Sequence, residues 1–225
     1  MTPQITVRVV MISYASRVVL VLFGFAISFS PNTSSQVLSP ESLLEEVVTL
    51  YQGTMEASFV HKLSSELWEG SRTLTGSIQL SGDQYRIETL FEVIIGRGDE
   101  VWIYRPEDQQ VLITSVEESD LAYSPGALFH SYEKLYRAHA YSRETLGGIP
   151  HFRLELHPAE ENFLIRSLTL WLKADDRVVT RLIALDQDDT RTEIDLTEVR
   201  VGVPIPPETF EFTLPEDVEV IDLRS

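Results

Sequence analysis

Cysteine is absent from the 225 residues, and only three methionines and five histidines occur. Without cysteine there are no disulfides, no thiolate metal sites, no cysteine nucleophile and no lipidated N-terminal cysteine. So few methionines make no Met-rich adaptable surface. The histidines, at 61, 130, 139, 151 and 157, show no metal-ligand spacing. Positive charge is also scarce: 18 Lys and Arg stand against 35 Asp and Glu, a formal net charge of −17. Such a surface repels nucleic acid and anionic lipid headgroups. It serves either plain solubility or docking to a basic partner. Catalytic signatures are missing as well: no Gly-x-Ser-x-Gly turn, no His-Glu-x-x-His, no phosphate-binding glycine loop and no dinucleotide fingerprint. Asp186-Gln187-Asp188-Asp189 looks like a calcium loop, but Arg191 stands where an EF-hand needs glycine, so a hairpin turn fits better. Nothing points to an enzyme, a cofactor or a metal.

A bilayer-spanning run is lacking too. The apolar stretch Val18–Phe29 falls well short of the ~20 residues needed. Arg8 and Arg17 precede it and Pro31-Asn32-Thr33-Ser34-Ser35 follows. A positive start, a short apolar core and small residues at the end form an export signal. Thr33 and Ser35 suit the −3 and −1 positions, which places cleavage near Gln36 and makes residues 1–35 the signal; an uncleaved anchor is the alternative. Cleavage removes two arginines and no acid, taking the net charge from −17 to −19. The mature chain, residues 36–225, then reads as one exported domain in a periplasm or an equivalent space.

What is present is mostly strand pattern. Ser39-Pro40-Glu41 opens a helix: Ser39 can cap, Pro40 suits the first turn, and Glu41, Glu45 and Glu46 favour the positive end. Leu43, Leu44, Val47, Val48 and Tyr51 recur at helical spacing, and Gly53 ends the run. After it, Leu74, Ile78 and Leu80 share one parity. Phe152, Leu154 and Leu156 alternate with Arg153 and Glu155. Leu168, Leu170 and Leu172 share a face, and Ile194 and Leu196 alternate before a phase change that implies a bulge near Thr197-Glu198. Turn signals separate the runs, as at Gly147-Gly148 and Asp186–Asp189. Ser124–His130 reads as a short inserted helix. The class is α+β, mainly antiparallel: one strongly curved, barrel-like sheet of about ten or eleven strands with two helices that could lie across its mouth. Trp68, Trp102 and Trp171 line a pocket or fill core. One stretch breaks the alternation. In Glu100–Arg105, EVWIYR, both parities are apolar, which requires a cover on each side of the strand.

The chain resembles the periplasmic outer-membrane lipoprotein carrier family, LolA, from about Glu41 to Asp222. Ala57-Ser58-Phe59 is similar to the family's first strand. Asp99–Val111 (DEVWIYRPEDQQV) looks like its Trp/Tyr strand, x-Pro turn and Gln-Val strand. Leu185–Leu196 resembles its Gln-Asp hairpin, and Pro206–Asp222 its terminal Phe-x-Phe-x-x-Pro-x-x-Val-x-Val. The resemblance implies an incomplete barrel whose helices form a lid over an apolar cavity. It implies a monomeric carrier of acylated lipoproteins, loaded by an ATP-driven inner-membrane complex and unloaded to an outer-membrane acceptor. The cavity residues expected are Phe59, Leu80, Ile87, Trp102, Tyr104, Phe152, Leu154, Leu168, Leu170, Leu172 and Leu182. The lid residues are Leu43, Leu44, Val47 and Tyr51 with Leu128 and Phe129 of the insert, and Arg86 is the candidate lid hydrogen bond. Two departures stand out. Gly82-Asp83 replaces the basic-Pro pair common in the family while Tyr85-Arg86 keeps the pair after it, and His61 stands where many members have Gln. A sensor domain of the same fold, an anchored acceptor of the same pathway, and a lipid hydrolase are the competing readings. The acceptor lacks its lipidated cysteine here, and the sensor lacks room for a second domain.

Overall fold

The computed structural model describes residues 38–65, 70–115, 135–160 and 165–224. The stretch read as an export signal, Trp68, and the stretch expected to form an inserted helix, with Leu128 and Phe129, lie outside them.

Local chemistry sets the helix α1 (Pro40–Tyr51). The Ser39 hydroxyl accepts from the Ser42 N–H (3.1 Å), and the Ser42 hydroxyl accepts from the Ser39 N–H (2.9 Å). This reciprocal cap satisfies two donors that the first helical turn leaves open. Leu43, Val47, Val48 and Tyr51 form the buried stripe. The chain then turns at Gly53 into the sheet.

Twelve strands follow among the described residues, where ten or eleven were expected: β1 (Thr54–Ser64), β2 (Ser71–Ser81), β3 (Gln84–Thr89), β4 (Val93–Arg97), β5 (Glu100–Arg105), β6 (Gln110–Ser115), β7 (Tyr136–Leu146), β8 (Ile149–Pro158), β9 (Ile165–Lys173), β10 (Val179–Asp186), β11 (Arg191–Val201) and β12 (Glu219–Asp222). They form one open, curved sheet in the order β12-β6-β5-β4-β3-β2-β1-β11-β10-β9-β8-β7. Every neighbouring pair is antiparallel except β12 with β6. With only four residues, β12 is too short for alternation to reveal it. The hairpin β7–β8 turns through Gly147 (φ 59°) and Gly148 (φ 82°), a left-handed pair that only glycine adopts without strain. On β11 an extra residue lies between the partners of Ser58 and Glu56, and Glu198 there takes φ 53°. That bulge produces the phase change read in the sequence.

Pairing register sorts the side chains onto two faces. Met55, Ala57 and Phe59 of β1 stand opposite Leu80, Ile78 and Gly76 of β2. The same row runs through Ile87 and Ile94 on one side and through Leu196 and Ile194 on the other. These residues and the stripe of α1 belong to one apolar core. Glycine makes room for two flat rings on this inner face. A Cβ at Gly76 would approach the Phe59 ring to 2.7 Å, and a Cβ at Gly96 would collide with the Tyr85 ring.

The outer face of β3–β6 carries a second apolar layer. Ile95, Trp102 and Ile113 are register neighbours there, beside Tyr104 and Val111. The C-terminal segment covers them. Its 3-10 helix, Pro207–Phe210, lies against β3 and β4 and buries Phe210. Phe212 packs 5.5 Å from Trp102 and 5.9 Å from Tyr104, centroid to centroid. This answers the puzzle of EVWIYR: the inner core takes one parity and the C-terminal segment takes the other.

Candidate functional site

The inner face is the candidate site, because register gathers there the apolar residues that the sequence marks singly. Nine of the eleven expected cavity residues share it: Phe59, Leu80, Ile87, Phe152, Leu154, Leu168, Leu170, Leu172 and Leu182 are all buried in the core that also contains α1. Trp102 and Tyr104 do not join them. Both sit on the outer face under Phe212, so they brace the C-terminal segment and do not line the inner face. Several lining residues were not among the expected cavity residues: Ile78, Leu156 and Ile194 were read only as strand positions, and Met55 was not marked at all. Strand parity could have found them, since each shares the phase of a residue that was named.

Helix α1 lies against β7 and β8. Leu43, Val47 and Tyr51 are buried beneath it, and Leu44 is half-buried against the same core. Three polar contacts fasten this helix along its length. Near its start, the Tyr141 hydroxyl donates to the Leu38 carbonyl (3.2 Å). Midway, Arg177 Nε donates to Glu46 Oε2 (2.6 Å) while its guanidinium lies 4.8 Å over the Phe152 ring. At its end, the Tyr51 hydroxyl accepts from the Val179 N–H (3.0 Å). Burial raises the Tyr51 phenol well above its ordinary pKa, against the lowering effect of the Val179 bond, so it stays neutral.

Arg86, the candidate lid hydrogen bond, faces away from α1. Its side chain points to the outer face, where it pairs with Glu88 and donates through Nη1 to the Thr209 carbonyl (3.3 Å). It ties down the 3-10 helix and does not reach α1.

Among the described residues, depressions lie at the rim of the inner face and on the outer face. One, of about 490 Å³, opens at that rim between Leu38, Arg143, Pro150, Phe152 and Arg177. The other, of about 300 Å³, runs over the outer face along Arg153, Glu155, Trp171 and Ile183. Among the described residues no three His, Asp or Glu side chains converge as a metal site would require. The Asp186–Asp189 segment forms a turn, with Asp186 Oδ1 accepting from the N–H groups of Asp188 (2.9 Å) and Thr190 (2.8 Å). What the inner face offers is apolar area behind one helix.

Comparison with known proteins decides the family. Residues 53–213 match the model of the outer membrane lipoprotein carrier protein LolA, nearly the whole sheet. The chain belongs to the LolA family. It is 26% identical over 207 residues to an outer-membrane lipoprotein carrier protein of Idiomarina loihiensis, covering 86% of this chain and 91% of that protein. It is 27% identical over 207 residues to the carrier of the same name from Legionella pneumophila strain Paris, covering 90% and 96%. Among solved structures, an uncharacterized conserved protein of Thermus thermophilus superposes with a TM-score of 0.54 at 14% identity, over 81% of this chain and 98% of that one. At that identity the likeness concerns the fold alone.

Proposed function

We propose that this protein is a periplasmic chaperone that carries acylated lipoproteins between membranes, holding their acyl chains on the inner face of the sheet beneath α1. One observation carries the reading. In a LolA-family chain, a broad apolar face is covered by an amphipathic helix that a few polar contacts fasten in place.

The physical need is large. Each buried methylene is worth ~0.8 kcal/mol, so one sixteen-carbon chain exposed to water costs on the order of 12 kcal/mol. A carrier must hide such chains and still let them go. When empty, Leu43, Val47 and Tyr51 fill the face themselves. Cargo and helix then compete for the same apolar surface, so the helix lowers affinity enough to permit release. In this scheme an ATP-driven inner-membrane complex loads the carrier, and an outer-membrane acceptor receives the cargo. Residues 1–35 direct export, and the mature chain acts as a monomer by binding alone, without a cofactor.

The test is extraction. Membranes holding a radiolabelled triacylated lipoprotein are incubated with the purified exported protein and its loading complex. Release of lipoprotein in a soluble, roughly one-to-one complex is expected. If the lipoprotein stays in the membrane, and the protein purified from its native periplasm carries no acylated polypeptide, the reading fails.

A further inference from the structure

Two polar side chains stand out amid the hydrocarbon of the inner face. Tyr85 stands directly opposite Leu80 in the β2–β3 register, so it shares the face of Leu80 and Met55. His61 stands opposite Leu74 on one side and Ile194 on the other, so it shares the face of Phe59. The Tyr85 hydroxyl and the His61 Nε2 are both buried, and neither has a hydrogen-bond partner among the described residues. Native proteins rarely leave such atoms unpaired, because burial strips their water and returns nothing.

The Tyr85 hydroxyl is held in a fixed place. Its ring lies flat over Gly96, where any side chain would collide with it. Burial pushes its phenol up to about 12, so at physiological pH it is a neutral O–H donor. The desolvated imidazole of His61 has its pKa lowered and offers a neutral N–H or a lone pair, according to its tautomer. A ligand made only of hydrocarbon gains nothing from either group. A ligand whose hydrocarbon ends in a carbonyl oxygen can use the Tyr85 donor, whereas His61, six residues along β1 from the Met55 that stands in line with Tyr85, is too far along the strand to reach the same group. Apolar pockets commonly fix orientation with a few such polar groups.

Building on the carrier reading, we infer that the Tyr85 hydroxyl donates to the ester carbonyl of an acyl chain bound on the inner face, so that the protein selects acyl esters over plain alkyl chains. Selection arises because an alkyl ligand leaves the buried hydroxyl unpaired.

The test uses matched ligands: dioctanoylglycerol, a diester, and dioctylglycerol, its diether. Each displaces an environment-sensitive dye from the purified exported protein. Wild type is expected to bind the diester roughly five- to tenfold more tightly, the range of one net hydrogen bond. Tyr85→Phe keeps the ring over Gly96 and removes only the hydroxyl. It should lose most of that preference while diether affinity stays the same. Ligand-free Tyr85→Phe should melt at or above the wild-type temperature, since no internal bond is lost. A preference that survives in Tyr85→Phe, or a lower melting temperature in that variant, overturns the inference. Equal binding of the two lipids by wild type overturns it also but leaves the carrier reading intact. If neither lipid nor an acylated lipoprotein binds, the carrier reading falls with it.

Discussion

The two halves of the sheet are alike inside and opposite outside. On the inner side, β8–β11 and β2–β4 both present buried aliphatic rows. On the outer side, β8–β11 carry charge. Arg181 bonds Asp195 (2.5 Å) and approaches Glu193 (3.6 Å), Lys62 joins at 3.7 Å from Asp195, Arg153 pairs with Glu155, and its guanidinium lies 5.7 Å over the Trp171 ring. The outer side of β3–β6 is instead apolar: Ile95 is 1% exposed, and Phe210 above it is also 1% exposed. One half is thus covered on the inside by a helix and wet outside. The other is sandwiched, with the C-terminal segment as its second layer. The covers differ in kind. Phe210 and Phe212 plug the outer layer as core, whereas α1 is an amphipathic helix fastened at three polar points.

The largest effect should come from removing the outer plug. Phe210→Ala deletes a buried ring and should cost about 3–5 kcal/mol of unfolding free energy, measured by urea denaturation. Leu154→Ala on the inner face belongs in the same range, about 2–5 kcal/mol. If Phe210→Ala costs under about 1 kcal/mol while Leu154→Ala costs its full amount, the C-terminal segment is not a structural layer and the contrast between the halves dissolves.

A smaller effect should sharpen the difference between the covers. Tyr51→Phe leaves the buried Val179 N–H without its acceptor. An unsatisfied buried donor costs about 1–3 kcal/mol. Because the loss falls on the state with α1 closed, acyl-chain affinity should rise while stability drops. Fluorescence titration with a fatty-acid probe checks this. Lower affinity in Tyr51→Phe would show that α1 is part of the bound state and does not compete with the ligand.

A smaller effect again is expected on the wet outer side. Arg181→Ala removes partly exposed ion pairs with Asp195 and Glu193. Such pairs contribute about 0.2–1 kcal/mol. Raising salt should shrink the difference between variant and wild type further. A loss above about 2 kcal/mol would mark this face as covered by something, and the halves would no longer contrast.

The same asymmetry explains what the sequence revealed. In FRLEL and RSLTLWLK one face is wet, so polar residues mark it and parity can be read: Phe152, Leu154, Leu168, Leu170 and Leu172 share the buried face that their spacing indicates. In EVWIYR both faces are dry, and the cover comes from Phe210 and Phe212, far along the chain. Local pattern therefore could not decide which way Trp102 and Tyr104 point, and the cavity assignment put them on the wrong side. Arg86 was decidable. It sits next to Ile87, and if Ile87 faces inward then Arg86 must face outward, to Glu88 and Thr209. Likewise His61 has the parity of Phe59, and Tyr85 that of Ile87, so phase alone assigns both to the inner face. The position of α1 over β7 and β8 depends on the order of the whole sheet, and no local stretch encodes that. The pairing of β12 with β6 is hidden for a similar reason, since parallel addition at an edge leaves almost no trace in so short a strand.

The smallest effect tests how dry the inner face is. Desolvation lowers the pKa of His61. The sign follows from proton uptake. As pH falls below the ordinary histidine value of about 6.5, the unfolded chain takes a proton at this residue before the folded chain does. Stability contributed here is therefore fully present above that value and is lost as pH falls toward the lowered folded pKa. His61→Leu should remove this component and flatten the stability profile between about pH 6.5 and that lower value, leaving the profile above about pH 7 parallel to wild type. Urea midpoints of the two proteins across this range measure it. If the profiles fall in parallel, the imidazole is solvated, and the inner face near Phe59 and Ile194 is open to water when no ligand is bound. A dry His61 means that α1 and the curl of the sheet exclude water even from the empty carrier. Loading would then have to displace protein, since there would be no solvent there to expel, and the helix contacts would set the affinity.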